Sequence, residues 1–403
     1  MGWAGVGDPI SIGCIGSTAG ARATCKRSGP SLPTPLLLVA ATLLMAAFGV
    51  PKVAVAAEYR LPIPEGVLEP IIPEDNPVTE TKVSLGKKLY FDARLSVDDT
   101  VSCATCHDPR KGLADGRRVS VGVGGKTGVR NAPTVFNAAY FEQQFWDGRA
   151  QTLEDQAKQP LVNPVEMAMP SHAALEEKLR KIAEYPPLFE KAFGTPEITT
   201  DRLAKAIASF ERTLISLSAP IDRFLAGDEK ALSDSAKRGW ELFNGKARCN
   251  TCHGHVVVQP TFTDNLYHNI GVAMKAEDFA ELARHVAASP EDLPELAHRP
   301  GVTELGRFLV TRERKDIGAF KTPGLRNVEL TAPYMHDGSE ATLAAVMDLY
   351  DRGGIDNPFL DGGIRALSLT DQEEADLVEV MRAFTSDDLE RFRHLESLMP
   401  AGR

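Results

Sequence analysis

The 403-residue chain is poor in cysteine (six) and tryptophan (three), and its basic residues are outnumbered: 45 Lys and Arg stand against 55 Asp and Glu, a net charge of −10. This deficit of positive charge argues against nucleic acid and anionic lipid as partners, since both are bound largely through Lys and Arg. Alternating apolar and polar residues are also scarce, which argues against a sheet-based fold. Helical spacing recurs instead, as from Leu203 to Ala208 and from Glu373 to Phe384. The fold class expected is mainly α. Long apolar runs are lacking apart from Leu36 to Val50, which falls short of a spanning helix. Arg22, Lys26 and Arg27 precede that run, and Ala54-Val55-Ala56 follows it with the small-x-small pattern of a signal-peptidase site.

Residues 1–57 are therefore expected to be a cleaved leader. The remainder would be exported to the periplasm, with no stable membrane span after cleavage. The leader is long before its apolar core, as though the start codon were set too early. It contains Cys14 and Cys25, four basic residues and one acidic residue, so the mature chain keeps four cysteines and a net charge near −13.

Those four cysteines fall in two short strings, Cys103-Ala104-Thr105-Cys106-His107 and Cys249-Asn250-Thr251-Cys252-His253. The C-x-x-C-H pattern attaches a c-type haem: two thiols bond to the porphyrin and the adjoining imidazole becomes the proximal iron ligand. A zinc ribbon would set its two knuckles about 15–20 residues apart, whereas these are separated by well over a hundred. Two covalent haems are expected, on His107 and His253, and no cysteine remains for a disulfide.

The neighbourhoods of the two motifs repeat. Gly86-x-x-Leu89-Tyr90-Phe91 precedes the first as Gly239-x-x-Leu242-Phe243 precedes the second. Pro133 to Asn137, then Trp146-Asp147-Gly148 and Thr152-Leu153, return 190 residues later as Pro323 to Asn327, His336-Asp337-Gly338 and Thr342-Leu343. Each half thus reads as one haem domain, 58–220 and 221–403, with the hinge near Ser216 to Asp234. The second half carries an additional loop of about 44 residues between its haem motif and its Pro-Gly segment.

The same offset sets Tyr350 against Pro160 and Asp356 against Glu166. Tyrosine is a known haem ligand and proline has no donor side chain, so Tyr350 would close the second iron and leave the first open. The alternatives at this point are that Tyr350 is a buried aromatic beside Gly353-Gly354, or that Met335 or Met347 is the ligand.

Arg130-Asn131-Ala132-Pro133-Thr134, Phe145-Trp146-Asp147-Gly148-Arg149, Leu325-Arg326-Asn327 and Pro333-Tyr334-Met335-His336-Asp337-Gly338 resemble the signature segments of the bacterial di-haem cytochrome c peroxidase and MauG family. The resemblance implies two cytochrome-c-like domains sharing a calcium ion, with hydrogen peroxide reacting at the N-terminal haem and the C-terminal haem relaying electrons. It makes Glu166 the distal carboxylate that moves a proton between the peroxide oxygens, Gln156 the distal amide and Trp146 the relay between haems. Read alone, Glu166 is equally a solvated loop carboxylate and Trp146 a packed indole. The resemblance also implies calcium bound by Asn131 and the backbone oxygens of Thr331 and Pro333, although Asn131 alone reads as a turn residue. His336 is expected near the second haem, or as a loop histidine without a ligand role.

Two departures bear on the subclass. Many of these peroxidases close the first iron with a His sixteen residues after the first haem His, where this chain has Val123. They also place Met where Tyr350 stands and where MauG has Tyr. Both departures resemble MauG, which oxidises residues of a partner protein. Against that, the MauG surface tryptophan six residues before the second haem His is Ala247 here. The expected partners are hydrogen peroxide and either a protein substrate or a small c-type cytochrome or cupredoxin donor, with the chain monomeric or homodimeric. A non-catalytic di-haem electron carrier is the alternative from another class.

Overall fold

The computed structural model describes residues 59–255, 260–296, 299 and 301–399. The expected leader, residues 1–57, lies outside them. The first half is built from α1 (Glu80–Phe91), α2 (Cys103–Cys106), α3 (Leu153–Val162), α4 (His172–Arg180), α5 (Tyr185–Phe193) and α6 (Thr200–Glu211). Thr79, Thr152, Ser171 and Thr199 start four of these helices by accepting a first-turn backbone N–H. The helices close on a core that includes Leu89, Tyr90, Leu175, Phe189 and Ile207.

The second half contains α7 (Pro220–Leu225), α8 (Asp234–Asn244), β1 (Tyr267–His268), α9 (Phe279–Ala288), α10 (Leu293–Leu296), α11 (Phe308–Thr311), β2 (Phe320–Lys321), α12 (Leu343–Asp351) and α13 (Asp371–Arg382). The sole sheet among the described residues is β1 against β2, antiparallel, with Tyr267 opposite Lys321. The architecture is mainly α.

The repeat read from the sequence is a repeat of helix crossings. A Cβ on Gly86 of α1 would lie 1.8 Å from the Ala206 carbonyl oxygen of α6, and one on Gly239 of α8 would lie 2.0 Å from that of Asp376 on α13. Only glycine admits backbones at that distance.

The 190-residue offset is equally visible. Asn137 and Asn327 both take the left-handed conformation at φ 60°. Asn137 N–H donates to Leu214 O while its Oδ1 accepts from Ser216 N, and Asn327 N–H donates to Phe384 O while its Oδ1 accepts from Ser386 N. Both amides then reach one residue: Asn137 Nδ2 donates to Ser216 O and Asn327 Nδ2 to Ser216 Oγ. Ser216, inside the expected hinge, thereby ties the two halves together.

The segment without a counterpart in the first half has its own core. Phe279, Leu282, Ala283 and Val286 form one face of α9 and pack with Leu305, Phe308 and Ile317, and Trp146 of the first half rests against them. The chain after Ser386 returns to the first half, where Phe392 and Leu395 join the first core and Phe392 meets Phe136 edge-on at 4.9 Å.

Candidate active site

Each C-x-x-C-H string forms a short turn that sets two thiols and an imidazole on the wall of one cavity. Both histidines are held by the same device. His107 Nδ1 faces Leu113 O at 3.2 Å and Pro133 O at 3.0 Å; His253 Nδ1 faces Phe262 O at 2.9 Å. Leu113 and Phe262 each adopt the left-handed conformation, at φ 56° and 57°, which turns their carbonyls toward the ring. A carbonyl acceptor at Nδ1 fixes the proton there and leaves Nε2 as a free lone pair. Burial lowers both imidazole pKa values, so the neutral, iron-binding form is favoured. The four described cysteines are free, and burial pushes Cys106 up to about 11 and Cys249 up to about 12, so they stand as thiols. Two thiols, one available Nε2 and a large cavity fit a covalent haem in each half.

The cavities differ chemically. The first, about 410 Å³, includes Asp147, Glu166 and Glu211 in its wall, whereas no carboxylate lines the second, of about 240 Å³. Gln156 and Pro160, both on α3, also line the first cavity. Glu166 sits in the turn after that helix, where Asn163 Nδ2 donates to its Oε1 at 2.8 Å. Burial raises the Glu166 pKa, with the Arg149 charge and the Asn163 hydrogen bond pulling it back. Val123, buried in the glycine-containing loop, donates its N–H to Glu166 O at 2.9 Å, and a Cβ on Gly122 would meet Val165 O at 2.0 Å. The loop therefore braces the Glu166 turn.

Tyr350, at the end of α12, lines the second cavity together with Met335 and Met347. Burial raises the Tyr350 phenol pKa, so the hydroxyl keeps its proton in the absence of a cation. Asp356 is absent from that wall.

Trp146 lines both cavities. Its Nε1 donates to Asn131 O at 2.9 Å, and Asn131 N–H donates to His336 O. The buried His336 ring stacks on Phe320 at 3.5 Å and meets Trp146 edge-on at 6.5 Å. Its Nε2 lies 2.6 Å from Glu304 Oε2, while Arg130 Nη1 donates to Glu304 Oε1 at 2.5 Å. Glu304 and Phe320 belong to the segment that the repeat leaves unmatched, so no motif pointed to them. Asn163 had a signal, an Asn-Pro pair just past a helix, which favours a side-chain turn.

Asn131, Thr331 and Pro333 share a wall of the second cavity. Asn131 Nδ2 donates to Arg117 O, which leaves Oδ1 as an acceptor. These neutral oxygens suit a hard cation such as calcium. Among the described residues, the one His, Cys and carboxylate group close enough to hold a metal is elsewhere, at Cys252, Asp264 and His268. It shares Cys252 with the haem motif, and His268 is already clamped by Asp264 at 3.0 Å and Asp361 at 2.6 Å. The Asp264 bond, then the Cys252 sulfur, raises the His268 pKa to about 11 while that thiol is free; a thioether there would remove the second cause and leave the two aspartates.

Fold and cavities together define a two-centre c-type haem protein. The family described as di-haem cytochrome c peroxidase matches residues 80–230. The chain is 40% identical over 333 residues to the methylamine utilization protein MauG of Methylorubrum extorquens, covering 82% of this chain and 85% of that one. It is 35% identical over 358 residues to the cytochrome-c peroxidase IdrP1 of a Pseudomonas species, covering 86% and 92%. A solved MauG-like protein associated with microbial copper homeostasis is similar at TM-score 0.70 and 31% identity, over 82% of this chain and 97% of that one. The chain belongs to the di-haem cytochrome c peroxidase and MauG family, and it is accordingly a haem oxidoreductase with two c-type haems.

The Glu304 contacts generate a first prediction. Glu304→Ala leaves Arg130 and His336 without their acceptor and should cost about 3–5 kcal/mol of stability in denaturant unfolding of the haem-loaded protein. A loss below about 1 kcal/mol would place the pair among weak surface ion pairs.

Proposed function

We propose that the protein is a periplasmic, MauG-like di-haem peroxidase that reduces hydrogen peroxide at the first haem and oxidises a partner through the second. The observation that carries this reading is the asymmetry of the cavity walls. The first wall includes Pro160, which has no donor side chain, and the carboxylates of Asp147, Glu166 and Glu211; the position that carries a closing His in many relatives is Val123, which does not line it. The second has Tyr350 at the place matching Pro160 and no carboxylate in its wall. A merely electron-carrying protein would have no use for an open face with acid–base groups beside it.

When bound, the first haem supplies an iron to coordinate peroxide and the electrons to break its O–O bond. His107, its ring fixed by the Nδ1 bonds, would hold that iron through Nε2. Glu166 takes a proton from the near peroxide oxygen and returns it to the far one, which leaves as water. A pKa raised by burial suits both halves of that task, since the carboxyl holds a proton more readily than a solvated carboxylate and can still give it up. Gln156 supplies an amide on the same wall, Asn163 holds the carboxylate in place, and Trp146 spans the partition between the two haem cavities. Tyr350, on the second cavity's wall, would hold the second iron through its phenol oxygen, as a cation beside it would favour the deprotonated form. An anionic oxygen there favours the oxidised metal more than a methionine sulfur does. His253 would hold the same iron through Nε2, and Asn131, Thr331 and Pro333 would hold calcium near Trp146.

A conventional peroxidase with a small cytochrome or cupredoxin donor is the second reading, favoured by one observation. Ala247 replaces the surface tryptophan of MauG and is itself buried in the wall of the second cavity.

Two variants test these roles. Because the raised pKa leaves Glu166 protonated above the ordinary carboxylate range, the peroxide reaction should quicken with rising pH through that higher midpoint. Glu166→Gln should keep both haems, flatten this dependence and slow the reaction by about 10²-fold or more; a wild-type rate would remove the acid–base role. Tyr350→Phe should change the low-spin absorption of one haem, and an unchanged spectrum would assign that ligand to another residue.

A further inference from the structure

Glu211, the last residue of α6, belongs to the wall of the first cavity but to none of the roles above. It is 5% exposed, and its Oε2, shielded from solvent, meets no hydrogen-bond partner. Such an oxygen is costly to bury as part of an anion and much less so as part of a neutral acid.

The charged and titratable groups around it are committed elsewhere. Arg212, the next residue, gives Nη1 and Nη2 to Glu154 of α3 at 2.6 and 3.0 Å. Asn76 Nδ2 adds a third bond to that Glu154 carboxylate, and Lys82 of α1 is held by Asn76 Oδ1 and Pro77 O. Tyr90 of α1 spends its hydroxyl on His107 O. From α4, Glu176 accepts from Thr200 at the opposite end of α6. Cys103 of α2 feels Glu211 as its strongest charged neighbour, and Glu211 shares the cavity wall with the charged or titratable His107, Arg130, Asp147, Arg149 and Glu166. A haem bound through Cys103 would fill the cavity whose wall Glu211 shares. Desolvation pushes the Glu211 pKa up to about 8, with Arg212 lowering and Glu154 raising it, so the carboxyl is neutral at pH 7.

We propose that Glu211 is the proton-linked group of the first haem, neutral while the iron is reduced and ionised as an electron leaves it. This rests on the covalent haem filling the first cavity. Oxidation removes one electron, to an electrode or in turnover to peroxide, and adds one positive charge at the iron. The O–H bond of Glu211 then breaks, its proton passes to bulk solvent, and the carboxylate left behind offsets the new charge. The sign follows from linkage: the oxidised protein binds the proton less tightly, so the reduction potential falls as pH rises between the two pKa values and is level outside them. Glu211 touches neither peroxide nor iron, and its part is to tune the first centre through the porphyrin.

The test is a spectroelectrochemical titration of the first haem in the intact di-haem protein between about pH 6 and about pH 10. Wild type should approach one proton per electron within that range, Glu211→Gln should lose the slope, and Glu211→Asp should restore it at a shifted midpoint. A slope undiminished in Glu211→Gln assigns the proton to another group and overturns the proposal, as does a flat wild-type profile. Infrared difference spectra of the wild type decide the matter without any variant: the C=O stretch of a protonated carboxyl should disappear on oxidation of the first haem, and a spectrum without that band contradicts the proposal. A preparation lacking the haem at Cys103 and Cys106 would show no first redox wave at all, so failure of the haem assignment is distinguishable.

Discussion

Hydrogen bonds donated by the Nδ1–H groups of His107 and His253 to backbone carbonyls are the constraint from which the rest of the site follows. They fix each ring and present one Nε2 to each cavity, and they require Leu113 and Phe262 to bend into a left-handed conformation just beyond the haem motifs. Pro133 supplies a further acceptor to the first ring. Pro323, 190 residues later, supplies one to the second. The segments that begin at those prolines continue into Asn137 and Asn327, whose side chains lock onto Ser216. The haem ligands and the joint between the halves are thus held by the same two loops.

With the proximal sides alike, the difference between the centres lies in what the other walls contain. The first cavity carries the carboxyls of Glu166 and Glu211, which on the proposed reading exchange protons, and Asn163 and the Val123 loop hold Glu166 there. The second cavity has Tyr350 and a His268 clamped between Asp264 and Asp361, which suit a closed centre that exchanges electrons. Between them, Trp146 is held by Asn131 O and flanked by His336, whose partners Glu304 and Phe320 come from the unmatched segment with its own core. The insertion therefore does more than lengthen a loop: it supplies the buried carboxylate that fixes His336 against Trp146.

The parts of this arrangement that were legible in the sequence are those carried by covalent pattern or by repetition. The C-x-x-C-H strings named both haem sites, Gly86 and Gly239 marked the two helix crossings, and the 190-residue offset aligned Tyr350 with Pro160. Glu304 was not legible, because its segment has no internal counterpart and a lone glutamate reads as solvated surface. Glu211 was hidden for a related reason, since its burial depends on α6 packing over α1 and α3 rather than on neighbours in sequence. The return of Phe392 and Leu395 to the first core was likewise invisible, as short apolar positions near a chain end do not say which half they cover.

The unequal irons are the central claim, and an EPR spectrum of the resting diferric protein, recorded without prior reduction, tests it most directly. One high-spin and one low-spin haem in equal amounts is the predicted result. Two low-spin, six-coordinate haems would mean that the first centre is closed, and two high-spin haems that Tyr350 does not reach the second; either would contradict the account.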